Sequence, residues 1–161
     1  MELLSLALTL EEDLQSFYQK QAELHQGNSL QIVFELLAKE EEKHVEILMS
    51  HADKIDIPLR DNDILAEIRP IFKEISDFKS EIKLYATQLD AYRMALDKEI
   101  ESLNFYRDLQ NKSSEEASKQ VFGYLIQQED KHCIILEELV KLVTRPEEWV
   151  ESAEFGLREE Y

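Results

Sequence analysis

A chain of 161 residues can form one domain with a sizeable core, and its few glycines and prolines, with abundant Glu, Leu, Lys, Gln and Ala, predict an all-helical fold. The formal net charge of −17 argues against nucleic acid and anionic membranes as partners, because both would repel the chain. A single cysteine excludes an intramolecular disulfide and a four-cysteine metal site. Because the acidic N-terminus lacks signal-peptide features and no apolar run could span a bilayer, we expect a cytoplasmic protein.

The first predicted hairpin covers about residues 1–55 and begins with a helix over about residues 2–25. Apolar residues recur there every three or four positions, which is the period of one helix face. Glu11 lies on the edge of this apolar stripe, and Tyr18 follows two helical turns later on the same face. Gly27, followed by Asn and Ser, predicts the end of this helix and the N-cap of the next one.

The second helix of this hairpin is predicted over about residues 30–53. Glu41 and His44 occupy positions where the apolar period calls for Leu or Ile. Polar residues at core positions are costly unless they have partners, so these two side chains predict a functional role. We expect the neighbouring Glu40 and Glu42 to face outward.

A crossover is predicted over about residues 56–80, between the first hairpin and a second one. Asp61 or Asn62 can cap a short helix that extends to about residue 69. Pro70 is expected to interrupt or restart that helix, because it lacks a backbone N–H and clashes with the preceding turn. Two hairpins that lie parallel in one bundle need a long connection of this kind.

The second predicted hairpin covers about residues 81–143. Its first helix is predicted over about residues 80–111, with Glu99 and Tyr106 broadly on its apolar side. Ser113, with a glutamate three residues later, predicts a capping box at the start of the next helix. That helix is expected to continue to the end of the hairpin.

A short tail helix is predicted over about residues 146–158, and it completes a single domain. Thr144 and Glu147 have the spacing of a second capping box, and Pro146 suits the first turn of a new helix. Trp149 and other apolar residues follow. We therefore expect the tail to pack against the bundle or against a second subunit.

The two hairpins repeat one pattern at a constant offset of 88 residues. The motif E-E-K-H that ends at His44 corresponds to E-D-K-H at His132, and EEDLQSFY ending at Tyr18 corresponds to EIESLNFY ending at Tyr106. No insertion or deletion separates these blocks, so the chain is an internal repeat. Each hairpin carries one Glu, one Glu-x-x-His and one Tyr.

Six polar residues predicted to face inward form a candidate metal site. They are one glutamate from each of two helices and a Glu-x-x-His pair from each of the other two, namely Glu11, Glu41, His44, Glu99, Glu129 and His132. This is the ligand set of di-iron and di-manganese carboxylate bundles. Oxygen and nitrogen ligands with open positions suit two iron or manganese ions per chain, or a mixed pair, rather than a closed zinc site. The competing interpretation is a buried polar network without metal.

Other candidate residues have weaker patterns. Tyr18 and Tyr106 are predicted to hydrogen-bond ligand carboxylates or to act as redox-active phenols, and the competing interpretation is that they are aromatic core residues. Cys133 is expected to be a small buried apolar residue. His25 and His51 have no partner at ligand spacing, so we expect both at the surface.

Around these residues the sequence resembles the rubrerythrins of the ferritin-like superfamily. The resemblance rests on Glu11 with Tyr18, AKEEEKHVEIL around Glu41 and His44, Glu99, and QEDKH around Glu129 and His132. It implies a ferritin-like four-helix bundle, often dimeric, with a di-iron site that reacts with peroxide or oxygen. Rubrerythrins usually carry a rubredoxin domain with paired C-x-x-C motifs, which this sequence lacks, so a separate donor such as a rubredoxin-like protein is expected.

A second departure concerns the third ligand helix. Rubrerythrins usually carry an extra glutamate three residues after its ligand, and this chain has Ser102 there. The expected site is therefore closer to the four-Glu, two-His set of bacterioferritins.

Three functions follow from the sequence. The first is a di-iron oxidoreductase of oxidative-stress defence that reduces hydrogen peroxide or dioxygen. The second is a ferroxidase or iron-handling protein, in which iron is the substrate. The third is a non-catalytic metal-binding interaction module. In each case a homodimer or higher homo-oligomer is expected.

Overall fold

A computed structural model describes the backbone of residues 2–77 and 79–155 and the side chains of residues 3–77 and 82–144. In these ranges all regular structure is helical, as the composition predicts. The α-helices are α1 (Glu2–Leu24), α2 (Leu30–Ala52), α3 (Ile64–Ser76), α4 (Lys79–Tyr85), α5 (Leu89–Lys112) and α6 (Glu116–Phe155), and a 3₁₀ turn covers Ala86–Gln88. Among the described residues, no helix combines the length and apolarity needed to cross a membrane.

The helices form a bundle of two hairpins joined by a helical crossover. Helix α1 packs along α2, and α5 packs along α6. The hairpins meet where α1 contacts α5 and α2 contacts α6, while the crossover helices α3 and α4 lie against α6. The predicted ferritin-like architecture is therefore confirmed.

Two apolar clusters fill the bundle, one on each side of a polar layer. The large apolar cluster includes the buried face of the crossover, and the small apolar cluster lies at the other end. On α1, Ala7 of the small cluster precedes Glu11 and Leu14 of the large cluster follows it. The other three bundle helices show the same change of cluster around their own site residues. The polar residues thus occupy the middle of the core.

The crossover differs from its prediction at Pro70, which lies inside α3 and does not interrupt it. The proline removes one backbone hydrogen bond. One apolar face of α3 is buried in the large cluster, and this packing holds the helix together; its buried residues are Ile64, Ile68, Phe72 and Ile75. The N-cap of α3 is Asp63 rather than Asp61 or Asn62, and its side chain makes no cap hydrogen bond. Asn62, one residue earlier, accepts a hydrogen bond from Ile64 N through Oδ1 at 3.2 Å.

The helix predicted over residues 80–111 is divided into α4 and α5 by the 3₁₀ turn. Thr87 within that turn donates its hydroxyl hydrogen to the carbonyl of Leu84 at 2.8 Å. Such side-chain bonds compete with the helical backbone ladder. The turn allows Tyr85 and Tyr92, on either side of it, both to be fully buried.

Both predicted capping boxes near α6 are absent. The hydroxyl of Ser113 donates to the carbonyl of Leu109 at 2.7 Å, and that of Thr144 donates to the carbonyl of Lys141 at 3.0 Å. Neither hydroxyl is therefore directed at the start of a following helix. Helix α6 continues through Pro146 to Phe155 with no separate tail helix in that range. The side chain of Trp149, whose packing was predicted, lies outside the described residues, and so do residues 156–158.

His25 was expected at the surface and is buried instead, with 4% exposure. Its Nε2 lies 2.9 Å from the hydroxyl of Tyr92, and its ring stacks on Phe34 at a centroid distance of 5.4 Å. Burial lowers the pKa of His25, because the charged imidazolium would lose its hydration. The folded protein therefore favours the neutral ring.

This burial predicts an acid-sensitive contribution to stability. The contribution is complete above the unfolded-state pKa of about 6.5 and is lost as pH falls through the lowered folded-state pKa. The difference in free energy of unfolding between wild type and His25→Phe should therefore shrink as pH falls from 7 to 5. Urea unfolding of both proteins across this range measures it, and a difference that does not vary with pH would contradict the prediction.

Candidate metal centre

The six residues predicted as metal ligands converge in the polar layer, and each is at most 1% exposed. Helices α1 and α5 each contribute one glutamate, and α2 and α6 each contribute a Glu-x-x-His pair. The residues are Glu11, Glu41, His44, Glu99, Glu129 and His132. Three residues on an α-helix turn through about 300°, so the Glu and His of each pair leave the same face.

The first group of ligand atoms surrounds Nδ1 of His44. The carboxylate oxygens around it are Glu129 Oε1 at 2.7 Å, Glu11 Oε2 at 3.0 Å and Glu41 Oε2 at 3.4 Å. One atom from each of these four residues falls within 4.8 Å of the others. The group therefore offers three carboxylates and one imidazole to a single cation.

The second group surrounds Nδ1 of His132. The oxygens around it are Glu99 Oε2 at 2.8 Å, Glu41 Oε1 at 2.9 Å and Glu129 Oε2 at 3.9 Å. Glu41 and Glu129 thus belong to both groups, whereas each of the other glutamates belongs to one. The two groups are related as the two sequence repeats are, and they can hold two adjacent cations with two shared carboxylates.

The unsatisfied atoms of this layer fit a pair of cations. Among the described side chains, Glu41 Oε2 and both carboxylate oxygens of Glu99 and of Glu129 are buried and make no well-directed hydrogen bond, although three of these oxygens lie within 3.4 Å of a histidine Nδ1. Buried polar atoms nearly always have partners, and a concentration of unpaired carboxylate oxygens indicates an ion-binding centre. Four carboxylates would balance the four charges of two divalent ions.

Without cations the centre binds protons more readily. Burial raises the pKa of Glu99, and the nearby Glu129 and Glu41 carboxylates raise it further. Burial likewise raises the pKa of Glu41, with a further contribution from Glu11. Metal ions would therefore compete with protons for these oxygens.

The nearby carboxylates raise the pKa values of both histidines, whereas burial lowers them. Burial alone would lower the pKa of His44, but the Glu11 carboxylate and its hydrogen bond outweigh burial, so the pKa lies well above its usual range. His132 shows the same balance, with Glu41 as the main stabilising carboxylate. The rings lie nearly parallel, with centroids 5.4 Å apart.

The tyrosines that match in the two repeats make different contacts. The hydroxyl of Tyr106 donates to Glu11 Oε1 at 2.7 Å, so it holds one of the site carboxylates. Tyr18 is fully buried, yet its hydroxyl has no partner among the described residues, and the hydrogen bond predicted for it is not formed. Burial, followed by the nearby Glu99 carboxylate, raises the pKa of Tyr18 well above its usual value.

The sequence analysis did not predict the burial of Glu40 and Gln128, which lie near the two histidines. Glu40 was expected to face outward but is 6% exposed, whereas Glu42 is exposed as predicted. Gln128 is also fully buried. Glu40 precedes His44 by four residues, and Gln128 precedes His132 by four, a spacing that places both pairs on one helix face. That spacing was the available signal.

Two other predictions have clear outcomes, and Ser102 adds a further observation. Cys133 is buried as expected, and burial raises the pKa of its thiol to about 12, so it does not act as a thiolate. His51 is half-buried rather than at the surface, with Nε2 3.1 Å from the hydroxyl of Ser118. Ser102 is fully buried, and its hydroxyl has no partner among the described side chains.

Comparison with known proteins agrees with this architecture. The family model for rubrerythrin matches residues 2–140, which include both hairpins, the crossover and all six site residues. The chain matches none of the curated proteins and none of the solved structures with which it was compared. A match over most of the chain, together with a helical bundle that buries a carboxylate and histidine cluster compatible with a di-iron site, establishes that the chain belongs to the rubrerythrin family.

Proposed function

We propose that the protein is a di-iron oxidoreductase that reduces hydrogen peroxide or dioxygen with electrons from a separate donor, such as a rubredoxin-like protein. The observation that carries this proposal is the pair of overlapping groups of buried ligand atoms, each with three carboxylates and one imidazole. We also propose that it works in the cytoplasm as a homodimer or higher homo-oligomer. A single cysteine in the sequence fits a reducing compartment.

Each side chain has a definite role in this proposal. Glu41 and Glu129 would bridge the two ions, because each belongs to both groups. The pair Glu11 and His44 would complete the first position, and the two remaining ligands would complete the second. When bound, an iron pair supplies two electrons, which is the number that reduction of hydrogen peroxide to water requires.

The surrounding residues would control water and protons. The two apolar clusters limit access of bulk water from both ends of the bundle. Tyr106 holds Glu11 through its hydroxyl hydrogen and keeps one proton at the edge of the centre. Burial and the Glu11 carboxylate raise the pKa of Tyr106 well above its usual value, so this phenol keeps its proton and orients Glu11, and the two protons that reduction of hydrogen peroxide consumes would come from solvent.

A second candidate is a ferroxidase that oxidises iron as its substrate. It is favoured by Ser102, whose place on α5 leaves that helix with Glu99 as its one site carboxylate. The net charge of −17 would also attract cations to the protein. In this function Fe(II) would enter, be oxidised and leave the centre.

An anaerobic titration with Fe(II) distinguishes these functions. Protein loaded to two iron ions per chain would be divided and mixed with hydrogen peroxide or with air, while near-ultraviolet absorbance is recorded. Faster oxidation by peroxide, repeated after each re-reduction, is the result expected for the oxidoreductase. Faster oxidation by air with uptake beyond two ions per chain would instead identify iron handling, and bound metal that reacts with neither oxidant would identify an interaction module.

A further inference from the structure

The crossover contacts both metal-binding helices through one side chain, Asn62. Its Nδ2 group donates hydrogen bonds to Glu40 Oε1 and to Gln128 Oε1, the latter at 2.9 Å. Its Oδ1 accepts a hydrogen bond from the backbone N of Ile64 at 3.2 Å. All polar groups of this amide are therefore used, and its position is fixed from three sides.

The two residues that Asn62 contacts occupy equivalent positions in the repeats. Glu40 directly precedes Glu41 on α2, and Gln128 directly precedes Glu129 on α6. Their chemistry differs, since one is a carboxylate and the other an amide. The Nε2 group of Gln128 donates a hydrogen bond to Asp61 Oδ1 at 3.2 Å. Of the two side chains that accept hydrogen bonds from the Asn62 amide, Glu40 is therefore the one that carries a carboxylate near the two histidines.

That carboxylate lies at the outer edges of the histidine rings. The Nδ1 atoms of His44 and His132 face the site carboxylates, so their Nε2 atoms face away. Both Nε2 atoms are buried and have no hydrogen-bond partner among the described residues. Glu40 Oε1 is 4.0 Å from Nε2 of His132, and one Glu40 oxygen and one nitrogen of each ring lie within 4.8 Å of one another.

A histidine that binds metal through Nδ1 carries its proton on Nε2, and that N–H needs an acceptor. We propose that Asn62 is a positioning residue for the metal centre, because it holds the Glu40 carboxylate at the ring edge of His132. There the carboxylate accepts a hydrogen bond from the Nε2–H group of His132. This hydrogen bond keeps Nδ1 of the ring directed at the metal pair. The inference rests on the metal site of the proposed function. The 4.0 Å between Glu40 Oε1 and His132 Nε2 is longer than a hydrogen bond. For this hydrogen bond to form, the two atoms have to move closer together when the ring binds metal.

Binding of Co(II), measured by competition with a chelator and by visible absorption, tests this role without any turnover. Asn62→Ala and Glu40→Ala should each weaken Co(II) binding by about 10- to 100-fold and alter the cobalt spectrum, which reports ligand geometry. Glu42→Ala is the control for Glu40→Ala, because Glu42 is exposed on the same helix. Its affinity and spectrum should equal those of the wild type.

Asn28→Ala is the matched control for Asn62→Ala. Asn28 Oδ1 also accepts a hydrogen bond from the backbone N two residues later, at 3.2 Å, at the start of α2, as Asn62 Oδ1 does at the start of α3. Asn28→Ala should lower the free energy of unfolding in urea by about 1 kcal/mol for the lost hydrogen bond, and Asn62→Ala should lower it by more, because it also loses the bonds to Glu40 and Gln128. Only Asn62→Ala should change Co(II) binding, since Asn28 contacts no residue of the metal centre.

A double variant shows whether Asn62 acts through Glu40. In the Glu40→Ala background, Asn62→Ala should cause no further loss of Co(II) affinity. Wild-type affinity in Glu40→Ala, or a loss from Asn62→Ala that persists in that background, would overturn the inference. Wild-type protein that binds no Co(II) would overturn the metal site as well. Co(II) binding that responds to Asn62→Ala, in a protein inactive toward both peroxide and dioxygen, would overturn only the proposed function.

Discussion

Replacing either shared glutamate with alanine is expected to remove most of the bound metal from both positions. Glu41 and Glu129 each contribute oxygens to the two groups of ligand atoms, so Glu41→Ala or Glu129→Ala withdraws a ligand from both ions at once. Glu11→Ala withdraws a ligand from the first group alone. Metal analysis after iron loading and desalting should find well under one ion per chain for the first two variants and about one for the third.

The matched control for this experiment is Glu42→Ala, which removes an exposed glutamate from the helix that carries Glu41. It should retain the wild-type metal content. Full metal loading in both Glu41→Ala and Glu129→Ala would show that the buried cluster is a polar network without a metal-binding role. Equal losses from Glu11→Ala and Glu129→Ala would contradict the assignment of shared and unshared carboxylates.

Removal of metal is expected to destabilise the protein increasingly as pH rises. The pKa values of Glu41 and Glu99 are raised in the metal-free fold, and so are those of His44 and His132. A group whose folded-state pKa is raised contributes its stability below the unfolded-state value, about 4.3 for Glu and 6.5 for His, and loses it as pH rises through the folded-state value. Metal-free protein should therefore be less stable at pH 8 than at pH 6 once the effect of His25 is subtracted.

Mn(II) is a suitable probe of this effect, because it binds oxygen and nitrogen ligands and avoids the oxidation that accompanies Fe(II). At a free concentration a thousand times its dissociation constant, Mn(II) should add about 4 kcal/mol to the free energy of unfolding. Its affinity should increase with pH, because fewer protons have to leave the carboxylates. Urea unfolding with and without Mn(II) at pH 6 and pH 8 measures both quantities, using His25→Phe as the background. A larger stabilisation at pH 6 than at pH 8 would contradict the prediction.

Much of this protein is specified by local sequence patterns. The constant offset between the repeats identified two equivalent hairpins, and helical periodicity then placed Glu41 with His44, and Glu129 with His132, on inward faces. These inferences succeed because the angular position of a side chain on a helix depends only on residue spacing. The four-helix bundle and the convergence of the six residues could therefore be predicted without tertiary information.

Three of the incorrect predictions share one physical cause. Glu40 is buried because the crossover places Asn62 over it, and His25 is buried because Tyr92 of the second hairpin packs against it. Pro70 remains inside α3 because that helix buries an apolar face against the bundle. Each outcome depends on a segment distant in sequence, which helical periodicity does not report.

The sequence by itself thus determined the helices that form the bundle and the residues that meet at its centre, since both follow from the spacing of side chains along single helices. The tertiary structure decided which polar residues lie behind the histidines, which tyrosine contacts a site carboxylate and where the helices end. Those features depend on packing between elements, whose free energies outweigh the local preferences of a proline or an isolated glutamate.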